Sequence, residues 1–206
     1  MDKTKIAVLV SGGGTNLQAL LDAEAAGALK SGRIALVVSN VPGAYALTRA
    51  AKAGVEALTL TRRGCGGQEG FEAALQDALE SRGIELIILA GFLSILSEAF
   101  VRRYDERILN VHPSLIPSFC GKGFYGLKVH EAALARGVKY TGATVHVVNE
   151  IPDGGRILLQ KPVPVLPGDT PEVLQRRVME QAEWILLPEA AELVSSRIQQ
   201  EKEHRQ

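Results

Sequence analysis

Residues 5–16, KIAVLVSGGGTN, decide the fold of this chain. A mainly apolar run is followed by a turn with three glycines and then by Thr15 and Asn16, where a helical pattern begins. An apolar run bounded by turn residues is typical of a strand buried on both faces of a parallel sheet. Exposed glycine amides next to a helix N-terminus favour an anion. The stretch therefore predicts a strand, a phosphate-binding turn and a helix.

The same alternation continues along the chain. Strands are predicted at 5–10, 34–39, 55–59, 85–89, 108–112, 142–148 and 156–163, and helices at 16–28, 44–53, 69–82, 128–137 and 171–196. Strands that alternate with helices imply right-handed crossovers. We predict an α/β fold with an open, mostly parallel, doubly wound, Rossmann-like sheet, an antiparallel C-terminal strand region and a long C-terminal helix. We expect a single domain over 1–206, with a phosphate-binding half (1–110) and a catalytic half (111–206).

Composition excludes several classes of function. Lys and Arg number 23 against 23 Asp and Glu, so the chain lacks the basic excess of a nucleic-acid binder. No apolar run approaches the roughly 20 residues of a membrane span. Two cysteines, Cys65 and Cys120, cannot form a dense disulfide framework and lack metal-ligand spacing. We expect a cytoplasmic protein that uses no metal and binds neither nucleic acid nor membranes.

The glycine-rich turn favours a single phosphate over a larger nucleotide. SGGGTN at 11–16 matches neither the dinucleotide pattern G-x-G-x-x-G nor the Gly-Lys-Ser/Thr of a Walker loop. Its amides and the side chains of Thr15 and Asn16 offer hydrogen-bond donors. The alternative interpretation is a tight turn in which Thr15 or Asn16 caps the helix.

Asn110 and His112 are the strongest catalytic candidates. They lie two residues apart on a predicted strand, so their side chains share one face at the strand's carboxyl end. An amide can donate to an oxygen that becomes negative in acyl transfer, and an imidazole can exchange a proton near neutral pH. The alternative is a strand-end pair that only satisfies local hydrogen bonds.

Four further polar residues need an interpretation. Asp153 opens an Asp-Gly-Gly turn, which is either an ordinary hairpin turn or a carboxylate that returns toward His112. His146 lies on an apolar strand and is expected to support the site from behind, while His130 is expected on a helix surface. Ser114, His112 and Asp153 could form a hydrolase triad, but no G-x-S-x-G elbow exposes the serine.

Taken together, these motifs resemble one known family. SGGGTNLQAL, AGFLSILS, ILNVHPSLIPSF, TGATVHVVNEIPDGGRILLQ and VPVLPGDT occur in the order expected of phosphoribosylglycinamide formyltransferases, from residue 5 to about 190. The resemblance implies transfer of the formyl group of 10-formyltetrahydrofolate, a co-substrate, to the amine of glycinamide ribonucleotide in de novo purine synthesis. Formyltetrahydrofolate hydrolase and a non-catalytic phosphate-binding module remain alternatives, and the chain is expected to be a monomer or homodimer.

The resemblance also assigns roles to residues. Asn110, His112 and Asp153 become the catalytic trio, in which the first two stabilise the oxyanion and Asp153 assists proton transfer through water. The ribonucleotide contacts are Gly14, Thr15, Asn16 and Glu183, and the folate contacts are Leu93, Ile95, Leu96, Val101, Val148, Asn149, Glu150 and Ile151.

The chain departs from the family pattern near the expected folate tail. Ser94 stands where an arginine is common, the 62–70 stretch lacks a clear arginine counterpart, and the 119–128 loop is a few residues longer than usual. Lys122, Lys128 and Arg62 are candidate contacts for the anionic tail.

Overall fold

A computed structural model describes residues 2–204, which form one seven-stranded sheet in the order β3-β2-β1-β4-β5-β6-β7. The strands are β1 (Thr4–Val10), β2 (Gly32–Ser39), β3 (Ala57–Thr59), β4 (Leu86–Leu89), β5 (Ile108–His112), β6 (Tyr140–Val147) and β7 (Ile157–Pro164). The strands from β3 to β5 pair in parallel, whereas β6 and β7 are antiparallel to their neighbours. The predicted mostly parallel sheet with an antiparallel C-terminal region is confirmed.

Helices cover both faces of this sheet. They are α1 (Thr15–Ala25), α2 (Tyr45–Lys52), α3 (Gln68–Glu80), α4 (Glu98–Arg103), α5 (Leu127–Arg136), α6 (Pro171–Val178) and α7 (Trp184–Glu203), with a π-helical segment at Met179–Glu183 between the last two. Thr170 caps α6 through its side chain, and Pro171 occupies the first turn, where it removes no helical hydrogen bond.

Side-chain alternation along β1 divides the core into two layers. Ile6 and Val8 belong to the cluster that packs against α1, α2 and α7, whereas Ala7 and Leu9 belong to the cluster formed with α3 and α4. All four side chains are fully buried. A strand buried on both faces needs a continuous apolar run, which explains why β1 shows no polar alternation.

Three elements of the structure differ from the prediction. The helix predicted at 171–196 is interrupted by the π-helical segment and then continues to Glu203. The strand predicted at 55–59 is shorter, since only Ala57–Thr59 pairs with β2. Helix α4 was not predicted because six residues are too few for a clear periodicity, although Ser97 marks its start by accepting a hydrogen bond from the Phe100 amide.

Within residues 2–204, no helix combines the length and apolar character that crossing a membrane requires.

Candidate active site

The carboxyl end of β5 places two polar side chains at one edge of the sheet. β5 lies between β4 and β6, and Asn110 is paired with Leu89 on one side and His146 on the other. Alternation along the strand puts Asn110 and His112 on the same face. His112 is buried, and Nδ2 of Asn110 lies 3.1 Å from Nε2 of His146.

Asp153 reaches both histidines from the loop between β6 and β7. One carboxylate oxygen lies 3.5 Å from Nδ1 of His112, and the other lies 3.6 Å from Nε2 of His146. The Gly121 amide donates a 2.8 Å hydrogen bond to Asp153. Asp153 has a φ of 55°, a left-handed conformation that aspartate tolerates better than most residues. The turn therefore directs this carboxylate back over the sheet edge.

Both ring nitrogens of each histidine face oxygen atoms. Nε2 of His112 lies 2.8 Å from the carbonyl oxygen of Phe119, and Nδ1 of His146 lies 2.9 Å from the carbonyl oxygen of Val147. The remaining nitrogen of each ring faces Asp153. Nε2 of His146 also lies within hydrogen-bond distance of the Asn110 amide, so His146 can donate from Nδ1 to Val147 and accept from Asn110 at Nε2. These contacts fix the orientation of both rings beside Asp153.

The surroundings of Asp153 keep its carboxylate charged. Burial raises the pKa of this group, but the polar contact with the His146 ring at 3.6 Å, the hydrogen bond from the Gly121 amide and the charges of His112 and His146 together outweigh burial. The pKa of Asp153 therefore lies below its usual value. A carboxylate that stays ionised at neutral pH can orient a water molecule or a cationic group at the end of β5.

The glycine-rich turn lies at the same edge, after β1. Gly14 caps α1 with a φ of 73°, and a Cβ added there would lie 2.7 Å from Cβ of Ala46. Conformation and space both require glycine at this position. Among residues 2–204, nothing lies within 4 Å of a Cβ added at Gly12 or Gly13. Because Gly14 has no side chain to cap the first amides of α1, those amides are free to bind an anion.

Asn16 links this turn to the C-terminal part of the chain. Its Nδ2 donates a 2.7 Å hydrogen bond to Glu183, the last residue of the π-helical segment. Neither Thr15 nor Asn16 caps the helix, so the capping interpretation is wrong. Burial raises the pKa of Glu183 to about 7, and the hydrogen bond from Asn16 opposes that rise only in part. Glu183 can thus be neutral or charged near neutral pH.

The turn and the histidine cluster lie close enough for one small ligand to reach both. Only β4 separates β1 from β5, and neighbouring strands are about 4.8 Å apart, so the two sites lie roughly 10 Å apart across the sheet. A molecule anchored by an anionic group at the turn can extend along the edge to His112.

Two cavities open beside the cluster. The smaller, of about 110 Å³, is lined by Leu89, Ser94, Ile95, Leu96, Val101, Val148, Asn149, Glu150 and Pro152. The larger, of about 720 Å³, is lined by Phe92, Leu93, Ile95, Gly121, Lys122, Gly123, Phe124, Tyr125, Pro152 and Asp153. Leu93 and Ile95 are 68% and 73% exposed, an unusual state for large apolar side chains and one that suits an apolar ligand.

Comparison with known proteins places this arrangement in a family. The sequence profile of a family described as formyl transferase matches residues 4–190. The chain belongs to the formyl transferase family. The resemblance inferred from its motifs is therefore confirmed at the level of the family.

Individual relatives agree with this assignment. The chain is 44% identical over 195 residues to the trifunctional purine biosynthetic protein adenosine-3 of Gallus gallus, covering 95% of the chain but only 19% of that protein. It is 41% identical to the phosphoribosylglycinamide formyltransferase of Haemophilus influenzae, covering 86% of the chain and 81% of the relative. The crystal structure of glycinamide ribonucleotide transformylase 1 from Symbiobacterium toebii superposes with a TM-score of 0.87 at 42% identity, covering 94% of the chain and 88% of that structure.

Most predicted site residues of this formyl transferase lie at the carboxyl edge of the sheet or line the two cavities. Ile151 is 60% exposed and lines neither cavity. His130 is fully buried on α5, so its predicted surface position is wrong, and burial lowers its pKa to about 4. Histidine is a polar residue type, so no signal in the sequence indicated that His130 would be buried.

Several groups around the formyl transferase site were not predicted from the sequence. The Phe119 carbonyl and the Gly121 amide contact His112 and Asp153, and the segment around Phe124 lines the larger cavity. The unusual length of the 119–128 loop was the signal that could have found them. Backbone groups carry no residue-type signal, so their roles appear only in the fold.

The hydrolase-triad alternative for the histidine site loses support. Ser114 is fully buried and donates a 2.5 Å hydrogen bond to the carbonyl of Ser118, so it does not face His112 as a nucleophile. No group of three or more metal-ligating side chains with metal-binding geometry occurs between residues 2 and 204.

Proposed function

We propose that the chain transfers the formyl group of 10-formyltetrahydrofolate to the amine of glycinamide ribonucleotide, a step of de novo purine (IMP) synthesis. The main support for this proposal is that Asn110, His112 and Asp153 lie together at one edge of the sheet. The glycine turn, whose free amides can bind a phosphate, lies roughly 10 Å away. Relatives named for this activity support the proposal.

The ribonucleotide would bind along the sheet edge from the glycine turn toward β5. Its phosphate would accept hydrogen bonds from the amides of Gly14, Thr15 and Asn16 at the start of α1. Its ribose hydroxyls would meet Asn16 and Glu183, where Oδ1 of Asn16 is buried and has no hydrogen-bond partner within the described range 2–204. The glycinamide amine would then lie near His112.

The formyl donor would occupy the apolar side of the site. The smaller cavity offers apolar walls from Ile95, Leu96, Val101 and Val148 and the backbone of Asn149 and Glu150, which suits a flat heteroaromatic ring. Leu93 would contact the adjoining part of the donor from the larger cavity, and Ile151 would reach it only through movement of its loop.

The reaction is an acyl transfer between two amines. The primary amine of the ribonucleotide attacks the formyl carbon, and a negative charge develops on the formyl oxygen as the new C–N bond forms. Asn110 donates a hydrogen bond to that oxygen, and His112 does so through Nε2 once the Phe119 carbonyl has moved away from this nitrogen. The C–N10 bond then breaks, the attacking amine loses a proton and N10 gains one. Asp153 positions the water that carries this proton and holds His112, while His146 supports Asp153 from β6.

Organisation and setting follow as parts of the proposal. We assign residues 1–206 to one domain with a phosphate-binding half (1–110) and a catalytic and folate-binding half (111–206). The two halves share the ribonucleotide site through Asn16 and Glu183. Cys65 and Cys120 are free thiols, which suits the cytoplasm. The proposed partners are the two small-molecule substrates, without nucleic acid or membrane, in a monomer or homodimer.

A formyl-transfer assay with both substrates tests the proposal. We expect formylated ribonucleotide and tetrahydrofolate in equal amounts, and a large rise in KM when the 5′-phosphate is removed from the acceptor. Formate release that does not require the ribonucleotide would indicate a formyltetrahydrofolate hydrolase instead. Ribonucleotide binding without turnover would indicate a phosphate-binding module.

A further inference from the structure

The 121–125 segment and the 92–95 loop both line the larger cavity. Phe124 and Tyr125 come from the first segment, and Leu93 and Ile95 come from the second. Tyr125 is 51% exposed, so the opening carries three large apolar side chains that remain in contact with solvent. Two such segments are suited to hold an aromatic ring between them.

The lining of this cavity contains one carboxylate, Asp153, and one exposed cation, Lys122. Asp153 is mostly buried and bound to the Gly121 amide. Lys122 is exposed and makes no side-chain hydrogen bond or ion pair within residues 2–204. It is also the single cation in the lining of this cavity. A ligand with an aromatic body and an anionic end would therefore place that end at Lys122 and away from Asp153.

The neighbouring cations have other partners. Nζ of Lys128 lies 3.1 Å from the Tyr125 hydroxyl and 4.6 Å from the centre of the Tyr125 ring, so Lys128 holds this ring in place. Arg62 donates a 2.8 Å hydrogen bond to the carbonyl of Ile95 and supports the 92–95 loop from outside. Of the three candidate cations, only Lys122 both lines the cavity and has its charge available.

We propose that Lys122 recognises the glutamate carboxylates of the folate donor, while the aminobenzoyl ring of the donor lies between the 92–95 loop and Tyr125. This assignment rests on the proposed function and adds to it the residue that selects glutamylated donors. Lys122 contacts no reacting atom, so its effect is on donor affinity and not on the chemical step.

Equilibrium binding of two ligands tests the assignment. Tetrahydrofolate carries the glutamate, and tetrahydropteroate has the same rings without it. For Lys122→Gln we expect a rise of about three- to tenfold in the Kd for tetrahydrofolate, the range of one ordinary hydrogen bond, because Lys122 is exposed and its charge is screened by water. The Kd for tetrahydropteroate should be unchanged. The affinity of the wild-type protein for tetrahydrofolate should also fall with added salt more steeply than that of the variant.

Matched variants distinguish the loss of the Lys122 charge from general effects of a substitution on donor binding. Lys30→Gln removes an exposed lysine from the loop before β2, at the opposite edge of the sheet, and should change neither Kd. Tyr125→Ala should weaken both ligands equally, because the ring it contacts is common to them, and Tyr125→Phe should restore most of that loss.

Each contrary result has a distinct meaning. Equal weakening of both ligands by Lys122→Gln, or no weakening, would overturn the assignment and leave the proposed reaction intact. A glutamate-specific loss in Arg62→Gln and not in Lys122→Gln would assign the tail to Arg62. Failure of the wild-type protein to bind either ligand would instead reject the folate donor itself, and the proposed function with it.

Discussion

The glycine turn and the histidine cluster occupy the same sheet edge but are built in different ways. The turn comes from six consecutive residues, 11–16, and offers backbone amides at the start of a helix. The cluster joins side chains of β5, β6 and the loop that carries Asp153, along with backbone groups of the 119–121 segment. One site is a local feature of the sequence, and the other exists only in the folded chain.

The two sites should therefore respond to different kinds of substitution. Backbone amides belong to every residue, so the turn depends on conformation and tolerates changes that preserve it. The cluster depends on particular side chains, and removal of one leaves buried polar partners without their contacts. Substitutions in the cluster should therefore affect catalysis most, and those in the turn should affect stability and ribonucleotide binding.

His112→Ala should produce the largest loss and is the strongest test of the cluster. We expect kcat in the formyl-transfer assay to fall by about 10³-fold, because the variant lacks a proton-exchanging group and an oxyanion donor. Circular dichroism should show an unchanged fold. His204→Ala, an exposed histidine near the end of the described chain, is the control and should retain full activity. Near-normal turnover of His112→Ala would remove the cluster from the mechanism.

Asp153→Asn should have a smaller effect, because it removes the charge and keeps the shape. The amide oxygen of asparagine can still accept the hydrogen bond of the Gly121 amide, so the loop should keep its position. We expect kcat to fall by about 10²-fold with little change in the KM of either substrate. A large rise in donor KM with unchanged kcat would show instead that Asp153 only shapes the cavity.

The fold and the glycine turn could be predicted from the sequence because both depend on local patterns of residues. The βα alternation predicted the parallel sheet, and strand alternation predicted that Asn110 and His112 share a face. The position of Asp153 in the sequence did not predict the path of its loop, because an Asp-Gly-Gly turn is also compatible with an ordinary hairpin. Only the family resemblance pointed from Asp153 to His112.

The errors also have physical causes. A π-helical segment differs from an α-helix by one extra residue in a turn, and this shift is invisible in a hydrophobic pattern that continues through it. The burial of His130 depends on how α5 packs after β5, a tertiary fact that residue type does not reveal. Such features lie close to the site, where local rules are most often overridden.

Glu183→Gln tests the connection between the turn and the rest of the chain through pH. The pKa of Glu183 is about 7 in the folded protein, compared with 4.5 for a glutamate exposed to water. The folded state therefore binds the proton more tightly than the unfolded state. The contribution of Glu183 to stability should therefore be greatest below pH 4.5, fall as pH rises toward 7, and include the full cost of a buried charge above pH 7.

The size of this effect is up to about 3 kcal/mol, from 1.36 kcal/mol for each pKa unit. Thermal unfolding at pH 5 and pH 8 should show a smaller difference in Tm for Glu183→Gln than for the wild type, since glutamine keeps an acceptor for Asn16 and carries no charge. Equal pH dependence in the two proteins would mean that Glu183 is not the buried titrating group.

Gly14→Ala and Gly12→Ala form the finest test, because they lie in one turn and differ only in local geometry. An alanine at Gly14 must adopt a φ of 73° and bring its Cβ to 2.7 Å from Cβ of Ala46. We expect a loss of about 1–3 kcal/mol in the free energy of unfolding, measured by urea denaturation. An alanine at Gly12 meets nothing within 4 Å among residues 2–204, so its stability should stay within about 0.5 kcal/mol of the wild type. Equal destabilisation by both changes would mean that the turn as a whole, and not the backbone conformation at Gly14, requires glycine. Because the two variants alter no charge and no catalytic side chain, their difference isolates what conformation alone contributes to the anion-binding half of the site.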